Sequence, residues 1–395
     1  MSLSPQQRLV TTIIRNQGKA SRSDIARLLG LSRASMTQLI SGLMERGLVM
    51  EVGDGDSQGG RRPRLLSFND KLGYVVGVDV GATSLDVAIA DFNGKIIAQH
   101  GEAVDVREGP QAILGRVNHI AQSLLALVDA QPSQVYGFGI GVPGPVEFTT
   151  GLLIAPPIMP GWNGFPIRDF IGQTFQQARV MVDNDVNVMA LGELRVGAGK
   201  DVQHFVFVKI GTGIGAGIVA NGVMYRGHNG SAGDIGHVCA DVNGLVCHCG
   251  NIGCLEAMAA GPAIAARALK AAQSGASDFL AQRLQAQGIL TAADVSRGIM
   301  VGDYACNEII QDCGRLIGEA LASMVNILNP SMIFIGGGVS NVGFQLLAAI
   351  RQAVLRRSPP LATKDLRIDY ASLGANAGIH GAVALALEHV FKVLE

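Results

Sequence analysis

Two glycine turns of the same design, about 130 residues apart, constrain the fold of this chain more than any other feature. Residues 74–97 place β-branched runs on both sides of the turn, and residues 205–222 repeat that pattern. Residues 332–340 carry a third apolar run into glycines. Backbone N–H groups in such turns can face a phosphate, and a nearby carboxylate can face its metal ion. The candidate nucleotide-binding residues are Asp79, Gly81, Thr83, Gly211, Thr212, Gly213, Gly337 and Gly338.

Each glycine hairpin is weak evidence alone, because such hairpins are common in β-rich proteins, but the repetition predicts an α/β scaffold with two lobes and a cleft. This arrangement is typical of the actin-like, sugar-kinase (ribonuclease H-like) fold. We expect residues 71–184 and 373–395 to form the first lobe, with a helix at 378–393 that packs back on it. Residues 185–372 would form the second lobe and the expected dimer surface.

Residues 1–70 have a different character and predict a separate winged helix-turn-helix. Apolar residues recur at helical spacing in three segments, glycines stand at 18, 30 and 47, and Ser32 is placed to cap the third helix. A loop at 53–60 separates two short strand-like runs, and arginines follow it.

The third helix and the hairpin of this module carry residue types that read DNA. Polar side chains near the helix start can reach base edges, and arginines of the hairpin suit phosphates or a narrow minor groove. A protein-interaction module with a solvated basic hairpin is the alternative. A single module offers little area, so a dimer that reads two half-sites is expected. The candidate DNA-binding residues are Arg33, Ser35, Thr37, Gln38, Arg61 and Arg62.

One histidine and three cysteines within eighteen residues predict a structural zinc site. His237, Cys247, Cys249 and Cys254 make a closed tetrahedral set that leaves no position for water. Buried thiols or disulfides are the alternative, but Cys-x-Cys is too tight for an ordinary disulfide and the chain is not cysteine-dense. Cys239 could compete as a ligand and ranks below the other three.

Composition narrows the remaining classes. The 395 residues include 31 basic and 32 acidic side chains, so the chain as a whole carries no polyanion-binding charge. No apolar run is long enough to cross a membrane, and the N-terminus lacks the apolar core of a secretion signal. We therefore expect a cytoplasmic protein without membrane insertion.

Four motifs together resemble the ROK family of repressors, open reading frames and sugar kinases. They are DVGATS, VDNDVNVMALGE, GTGIGAGI and GHVCADVNGLVCHCGNIGCLE, and the winged module is similar to the repressor branch, which includes the N-acetylglucosamine and xylose repressors. The resemblance implies structural Zn²⁺, a sugar or sugar phosphate between the lobes, operator DNA, and a homodimer or homotetramer. Some relatives instead respond to a sugar-transport protein.

The resemblance also implies roles for single residues. Asp185 matches the aspartate that takes the proton from the sugar hydroxyl in ROK kinases, which makes it catalytic if kinase activity is retained. The tryptophan of the PGWNG turn, Trp162, is expected to line the cleft. The residues expected to bind the sugar are Asn163, Asn184, Asp185, Asp234, His237 and Glu256.

Two departures from the kinase pattern favour a sensor over an enzyme. Ala82 stands where active kinases carry a second glycine, and its methyl group would crowd a backbone that must approach phosphate. Asp234 stands where they carry glutamate, one methylene longer. The two departures therefore disfavour binding of ATP and Mg²⁺, and an ATP-dependent kinase for a hexose or N-acetylated amino sugar is the alternative function.

Overall fold

The computed structural model describes residues 3–55 and 62–394, and its first part is a module of three helices and three short strands. The strands form an antiparallel sheet in the order β1-β3-β2. The elements are α1 (Pro5–Gln17), β1 (Ala20–Ser21), α2 (Arg22–Leu29), α3 (Arg33–Glu45), β2 (Val49–Asp54) and β3 (Arg64–Phe68). Arg61, one of the predicted DNA contacts, lies outside the described residues.

Helix ends in this module follow the predicted capping chemistry. The Ser32 hydroxyl accepts a hydrogen bond from the Ser35 backbone N–H at 3.1 Å, which begins α3. Gly30 ends α2 with φ of 64°, a left-handed conformation that a side chain would strain. The turn between α2 and α3 is therefore confirmed where the sequence placed it.

The first large sheet has five strands in the order β10-β7-β4-β5-β6. Its strands β4, β5 and β6 run antiparallel, while β7 and β10 continue parallel to β4. The strands of this part are β4 (Tyr74–Val80), β5 (Ser84–Asp91), β6 (Ile96–Ala103), β7 (Val135–Val142), a small pair β8 (Val146–Glu147) and β9 (Leu152–Leu153), and β10 (Arg179–Asn184). Its helices are α4 (Pro110–Leu127) and α5 (Ile167–Thr174).

The second large sheet repeats this topology in the order β13-β12-β11-β14-β15. Three strands again run antiparallel and two continue parallel to the innermost of them. The prediction of a duplicated scaffold with a glycine turn after each leading strand is thus confirmed. The strands are β11 (Phe205–Ile210), β12 (Ile214–Ala220), β13 (Val223–Tyr225), β14 (Met332–Gly336) and β15 (Arg367–Tyr370).

Two helices, α6 and α14, pack against each other between the two large sheets, with α14 on β4 and β7 of the first sheet and α6 mainly on β12 of the second. A side chain at Gly192 of α6 would collide with the Ala377 carbonyl, and one at Gly381 would collide with the Val188 carbonyl. These glycines therefore permit a close approach of the two helix backbones. The helices from residue 185 onward are α6 (Asp185–Arg195), α7 (Leu255–Ala259), α8 (Gly261–Gln273), α9 (Asp278–Gln287), α10 (Ala292–Met300), α11 (Tyr304–Leu328), α12 (Phe344–Arg357), α13 (Pro360–Thr363) and α14 (Ala377–Leu394).

An aromatic chain joins the N-terminal module to the first sheet. Phe92, after β5, lies 6.4 Å from the ring of Phe68 on β3 and 5.7 Å from the ring of Tyr136 on β7. Phe92 is buried and belongs to one apolar cluster with residues of the module and of α14. The module is therefore packed on the first lobe. Among the described residues, no helix combines the length and the apolar character that a membrane span requires.

Candidate functional site

Asp185 lies at the junction between β10 and α6. The Asn184 side-chain oxygen caps α6 by accepting from the Val186 N–H at 2.9 Å, and its amide group donates to the Gly144 carbonyl at 3.0 Å. Asp185 then begins the helix with a side chain only 5% exposed. Asn184, predicted to contact a sugar, thus anchors the turn that presents Asp185.

Lys209 on β11 forms an ion pair with Asp185 across the two sheets. Its ammonium group donates a hydrogen bond to Asp185 Oδ2, and its side chain is 22% exposed. Burial alone would lower the pKa of Lys209, but the carboxylates of Asp185 and Asp79 outweigh that effect and raise it. Lys209 was not predicted from the sequence, although a single charge in the apolar strand FVFVKI marks it.

Asp79, at the end of β4, is the third ionisable group of this cluster. Burial raises the pKa of Asp79 to about 7; the charge of Lys209 acts in the opposite sense, and those of Asp185 and Asp86 add to the rise. A side chain at Gly378 of α14 would collide with the Asp79 carboxylate, so α14 closes this side of the cluster.

A second ion pair is formed by Asp183, two residues before Asp185. Arg226, which follows β13, donates through Nε to Asp183 Oδ2 at 2.7 Å, and its guanidinium carbon lies 4.0 Å from the centre of the Phe148 ring. The other oxygen of Asp183 accepts from the Asn187 amide at 3.0 Å. Asp183 is 2% exposed, so it serves as a buried ion-pair partner and not as a simple turn residue. This pair was not predicted from the sequence either.

The four predicted metal ligands converge. The ligand atoms of His237, Cys247, Cys249 and Cys254 all lie within 4.8 Å of one another. The Cys249 and Cys254 sulfurs are 3.6 Å apart, and Cys247 Sγ lies 3.7 Å from His237 Nδ1. Tetrahedral zinc with ordinary bond lengths requires separations of about 3.5–3.8 Å, so this donor set fits the ion. Cys239 is exposed and stands outside the cluster.

The two ring nitrogens of His237 lie in different surroundings. Its Nδ1 lies toward the cysteine sulfurs, whereas its Nε2 lies 4.0 Å from Asp234 Oδ1. Glu256, two residues after Cys254, accepts a hydrogen bond from the Ile214 backbone N–H at 3.1 Å. The metal-binding loop is thereby attached to the second glycine turn, and His237 is able to present one ring nitrogen away from a bound metal.

The loop with Asn163 holds one prediction that is wrong. Trp162 is completely buried, and its indole N–H donates to the Val106 carbonyl at 3.1 Å, so it belongs to the core of the first lobe and does not line the cleft. The neighbouring Asn163 is exposed, with its side-chain oxygen accepting from the Ala155 N–H at 2.8 Å.

The glycine turns differ in how closely they are packed. In the first, the Gly81 N–H donates to the Ser84 carbonyl at 2.8 Å, and the Ala82 methyl packs on the core of the first lobe. A side chain at Gly213 would collide with the Glu256 carboxylate, and one at Gly337 would collide with the Ile210 carbonyl. The turns at 211–213 and 337–338 therefore lie together at one end of the second sheet.

The predicted DNA-binding side chains divide between two concave surfaces of the N-terminal module. Arg33 and Thr37 line one with Arg62, while Ser35 and Gln38 line another with the start of α1. All four helix residues are exposed. The exposed part of α3 therefore contributes polar side chains to both concave surfaces.

A triad of charged side chains, Arg22, Glu51 and Arg64, lies on the hairpin side of the first of these surfaces. Glu51 on β2 accepts from Arg22 at 2.9 Å and from Arg64 at 2.5 Å. The contact with Arg64 is the main cause that lowers the pKa of Glu51. Arg22, which was not predicted from the sequence, thus joins the start of α2 to the hairpin.

The duplicated sheets, the cleft cluster and the four-ligand loop define a two-lobed fold of the sugar-kinase class. A leading strand and a glycine turn recur in each large sheet, and the ion pair with Lys209 of β11 in the second sheet is formed by Asp185, which directly follows β10 of the first. Residues 75–389 match the sequence model of the ROK family, and the chain belongs to that family.

Similar proteins include both regulators and kinases. The chain is 30% identical over 387 residues to the xylose repressor of Caldicellulosiruptor bescii, which covers 98% of this chain and 96% of that protein. It is 34% identical over 309 residues to the glucokinase of Halalkalibacterium halodurans, covering 78% of this chain and 93% of the kinase. A crystal structure of a ROK family transcriptional regulator, a homologue of the Escherichia coli MLC protein, superimposes with a TM-score of 0.84 at 27% identity, covering 98% of this chain and 96% of the other.

Proposed function

We propose that this protein is a sugar-responsive transcriptional repressor. One observation carries the proposal: the similarity to a named repressor extends over 98% of the chain, whereas the similarity to a glucokinase covers 78%. The extra length accommodates the N-terminal module, whose three helices and hairpin have the order of a winged helix-turn-helix. Residues 1–70 would bind DNA, residues 71–184 with 373–395 would form the first lobe, and residues 185–372 the second.

The DNA interface would use α3 in the major groove and the β2–β3 hairpin against the backbone. Arg33, Thr37 and Arg62 share one concave surface, which supports this arrangement. Two modules of a homodimer, or of a homotetramer, would read two half-sites of an operator. Because the DNA of a bacterial operator lies in the cytoplasm, the protein would act there.

The sugar would lie between the lobes, among side chains that can hold vicinal hydroxyls. Asp185 begins α6, while Asp234, His237 and Glu256 come from the metal-binding loop. Asn163 and Asn184 would complete this set. Zinc held by His237 and the three cysteines would supply a rigid loop and no chemistry.

Sugar binding would change DNA affinity through the packing between the module and the lobes. Phe92 contacts both the module and the first sheet, and α14 packs on α6, which carries Asp185. A sugar that closes the lobes would therefore shift the balance between arrangements of the two DNA-binding modules. A sugar-transport protein is a second class of signal that this architecture would accommodate.

The proposal is tested by selecting duplexes from random DNA with the full-length protein and measuring affinity by fluorescence anisotropy. Affinity should fall steeply with salt, and Arg33→Ala and Arg62→Ala should each weaken it about tenfold or more, since each removes a phosphate or base contact. Arg356→Ala, at an exposed position of the second lobe, is the matched control. Unchanged affinity in both arginine variants would remove the proposed DNA surface.

Sugar recognition is tested separately by thermal shift with glucose, xylose, N-acetylglucosamine and their phosphates. A stabilising sugar should lose its effect in Asp185→Asn. If no sugar raises the melting temperature while DNA binding persists, the result favours a protein as the signal in place of a sugar.

An ATP-dependent sugar kinase is the second candidate, favoured by the retained Asp185 and by the similarity to a glucokinase. It predicts ADP release with one of the same sugars and ATP, abolished by Asp185→Asn. A coupled assay without turnover across the panel would exclude it.

A further inference from the structure

Lys209 carries its positive charge close to two carboxylates where the lobes meet. We infer that Lys209 is a built-in counter-cation between Asp79 and Asp185, and that it excludes the divalent metal ion which phosphoryl transfer would require, so that the cleft holds its sugar without reacting it. This inference deepens the proposed function and rests on it.

The geometry of the lysine supports this assignment. Its Nζ donates a hydrogen bond to Asp185 Oδ2, and the pair joins β11 of the second sheet to the start of α6. Asp185 is 5% exposed, so water does little to weaken the contact. The lysine therefore belongs to the structure of the cleft and is not a mobile surface charge.

Asp79 is held in the same cluster from the other side. Gly378 leaves room for its carboxylate against α14, and the charges of Lys209 and Asp185 both act on it. Two carboxylates and one ammonium carry at most one net negative charge. A divalent cation would have to displace an ammonium that is already hydrogen-bonded, so the residues present do not fit a bound magnesium–nucleotide complex.

The same contact occupies one oxygen of Asp185. The Oδ2 atom already accepts a hydrogen bond from the Lys209 ammonium group. The other oxygen, Oδ1, is still able to accept a hydrogen bond from a sugar hydroxyl. The contact with Lys209 is therefore compatible with sugar binding.

A different role would be possible for a lysine in this place, namely contact with a nucleotide phosphate in an active kinase. That role requires the cleft to accept a metal–nucleotide complex while Lys209 is present. The two roles differ in one measurable property, the affinity of the cleft for a divalent cation in the intact lysine form.

We therefore choose Mn²⁺ as the probe and titrate it into the zinc-loaded full-length protein, with free Mn²⁺ followed by electron paramagnetic resonance. Mn²⁺ prefers oxygen ligands and does not compete with zinc for thiolates. Lys209→Met should gain a site of about one Mn²⁺ per chain, at least about tenfold tighter than any site in the unaltered protein. The double variant Lys209→Met with Asp185→Asn should lose it again.

Two controls keep the charge argument separate from other effects. Lys209→Arg preserves the cation and should bind Mn²⁺ as weakly as the unaltered protein. Lys270→Met removes an exposed lysine of α8 and should do the same. Operator binding is measured on the unaltered protein and on every variant, because its absence from the unaltered protein would count against the proposed repressor and not against the role of Lys209.

Two results would overturn the inference. One is a folded Lys209→Met protein that gains no Mn²⁺ site. The other is an Asp185-dependent Mn²⁺ site in the unaltered protein that is as tight as the site in the variant. If Lys209→Met does not fold, Lys209→Gln replaces it, and the second result still decides the question with the unaltered chain and Asp185→Asn.

Discussion

Glu256 accepts a hydrogen bond from the backbone N–H of Ile214 at 3.1 Å, and this contact attaches the metal-binding loop to the second glycine turn. Glu256 follows Cys254 by two residues, at the start of α7. The metal-binding cysteines are therefore connected, through Glu256 and the glycine turn, to the end of β11, where Lys209 contacts Asp185. The metal centre and the centre of the cleft are parts of one connected structure.

Replacement of a metal ligand should loosen this connection. In Cys249→Ser the zinc content measured by plasma emission spectroscopy should fall from about one per chain to a small fraction, because three ligands hold the ion poorly. The thermal shift produced by a bound sugar should disappear with it. Cys239→Ser is the matched control, since Cys239 is exposed and outside the cluster. Equal loss of zinc in both variants would show that the metal ligands have been assigned to the wrong cysteines.

The raised pKa of Asp79 makes stability depend on pH. Burial lifts this pKa from 3.8 in the unfolded chain to about 7, while Lys209 opposes and Asp185 and Asp86 assist the rise. The folded state thus keeps a proton that the unfolded chain has released. The stability this group contributes at acidic pH is therefore lost as pH rises from about 4 to about 7.

Asp79→Asn should remove that dependence. As pH rises from 5 to 8, the free energy of unfolding of the variant should increase by about 2–3 kcal/mol relative to that of the unaltered protein. The reason is that a tenfold difference in proton affinity between the folded and unfolded chains corresponds to about 1.4 kcal/mol. Differential scanning calorimetry at both values would record this as a rise in the relative Tm of the variant. A difference in Tm that is the same at pH 5 and pH 8 would contradict the assignment.

A buried glutamate holds the two segments by which the chain passes between the lobes. Glu193 of α6 is completely buried and accepts from the Ala198 N–H at 3.0 Å, the Ser372 hydroxyl at 2.7 Å and the Leu373 N–H at 2.8 Å. The segment near 198 leads into the second sheet, and the segment near 372 leads back to α14. The Glu193 carboxylate therefore holds both of the segments that connect the lobes.

Glu193→Gln should lower stability by about 2–3 kcal/mol. An amide in place of one oxygen leaves a buried donor without an acceptor and brings two donors together. The control is Glu388→Gln, which breaks a partly exposed ion pair with Arg195 and should cost less than about 1 kcal/mol. Thermal denaturation of the two variants side by side would show the difference, and equal losses would argue against a special role for Glu193.

Local chemistry made much of the fold predictable. The runs around Asp79 and Lys209 are β-branched, and glycines follow each, so strand, turn and strand could be placed without knowledge of the tertiary structure. Ser32 and Gly30 marked helix ends for the same local reason. The metal ligands were predictable because all four lie within eighteen residues.

Contacts between distant residues were not predictable in this way. Lys209 and Asp185 are 24 residues apart, and Arg226 and Asp183 are 43 apart, so nothing in their local sequence indicates that they meet. Trp162 was placed in the cleft because a proline-glycine turn surrounds it. Its burial depends on Val106, 56 residues away, which accepts the indole hydrogen bond.

The packing of Phe92 between Phe68 and Tyr136 predicts how the N-terminal module is held. Phe92→Ala would remove a buried ring at the contact between the module and the first sheet, at a cost of about 3–5 kcal/mol. Limited proteolysis should then cut the chain near residues 69–73 faster, while operator affinity falls. Phe344→Ala, at a ring that is 74% exposed, should leave both unchanged. Cleavage and operator binding that are identical in Phe92→Ala and the unaltered protein would show that this aromatic chain does not attach the module.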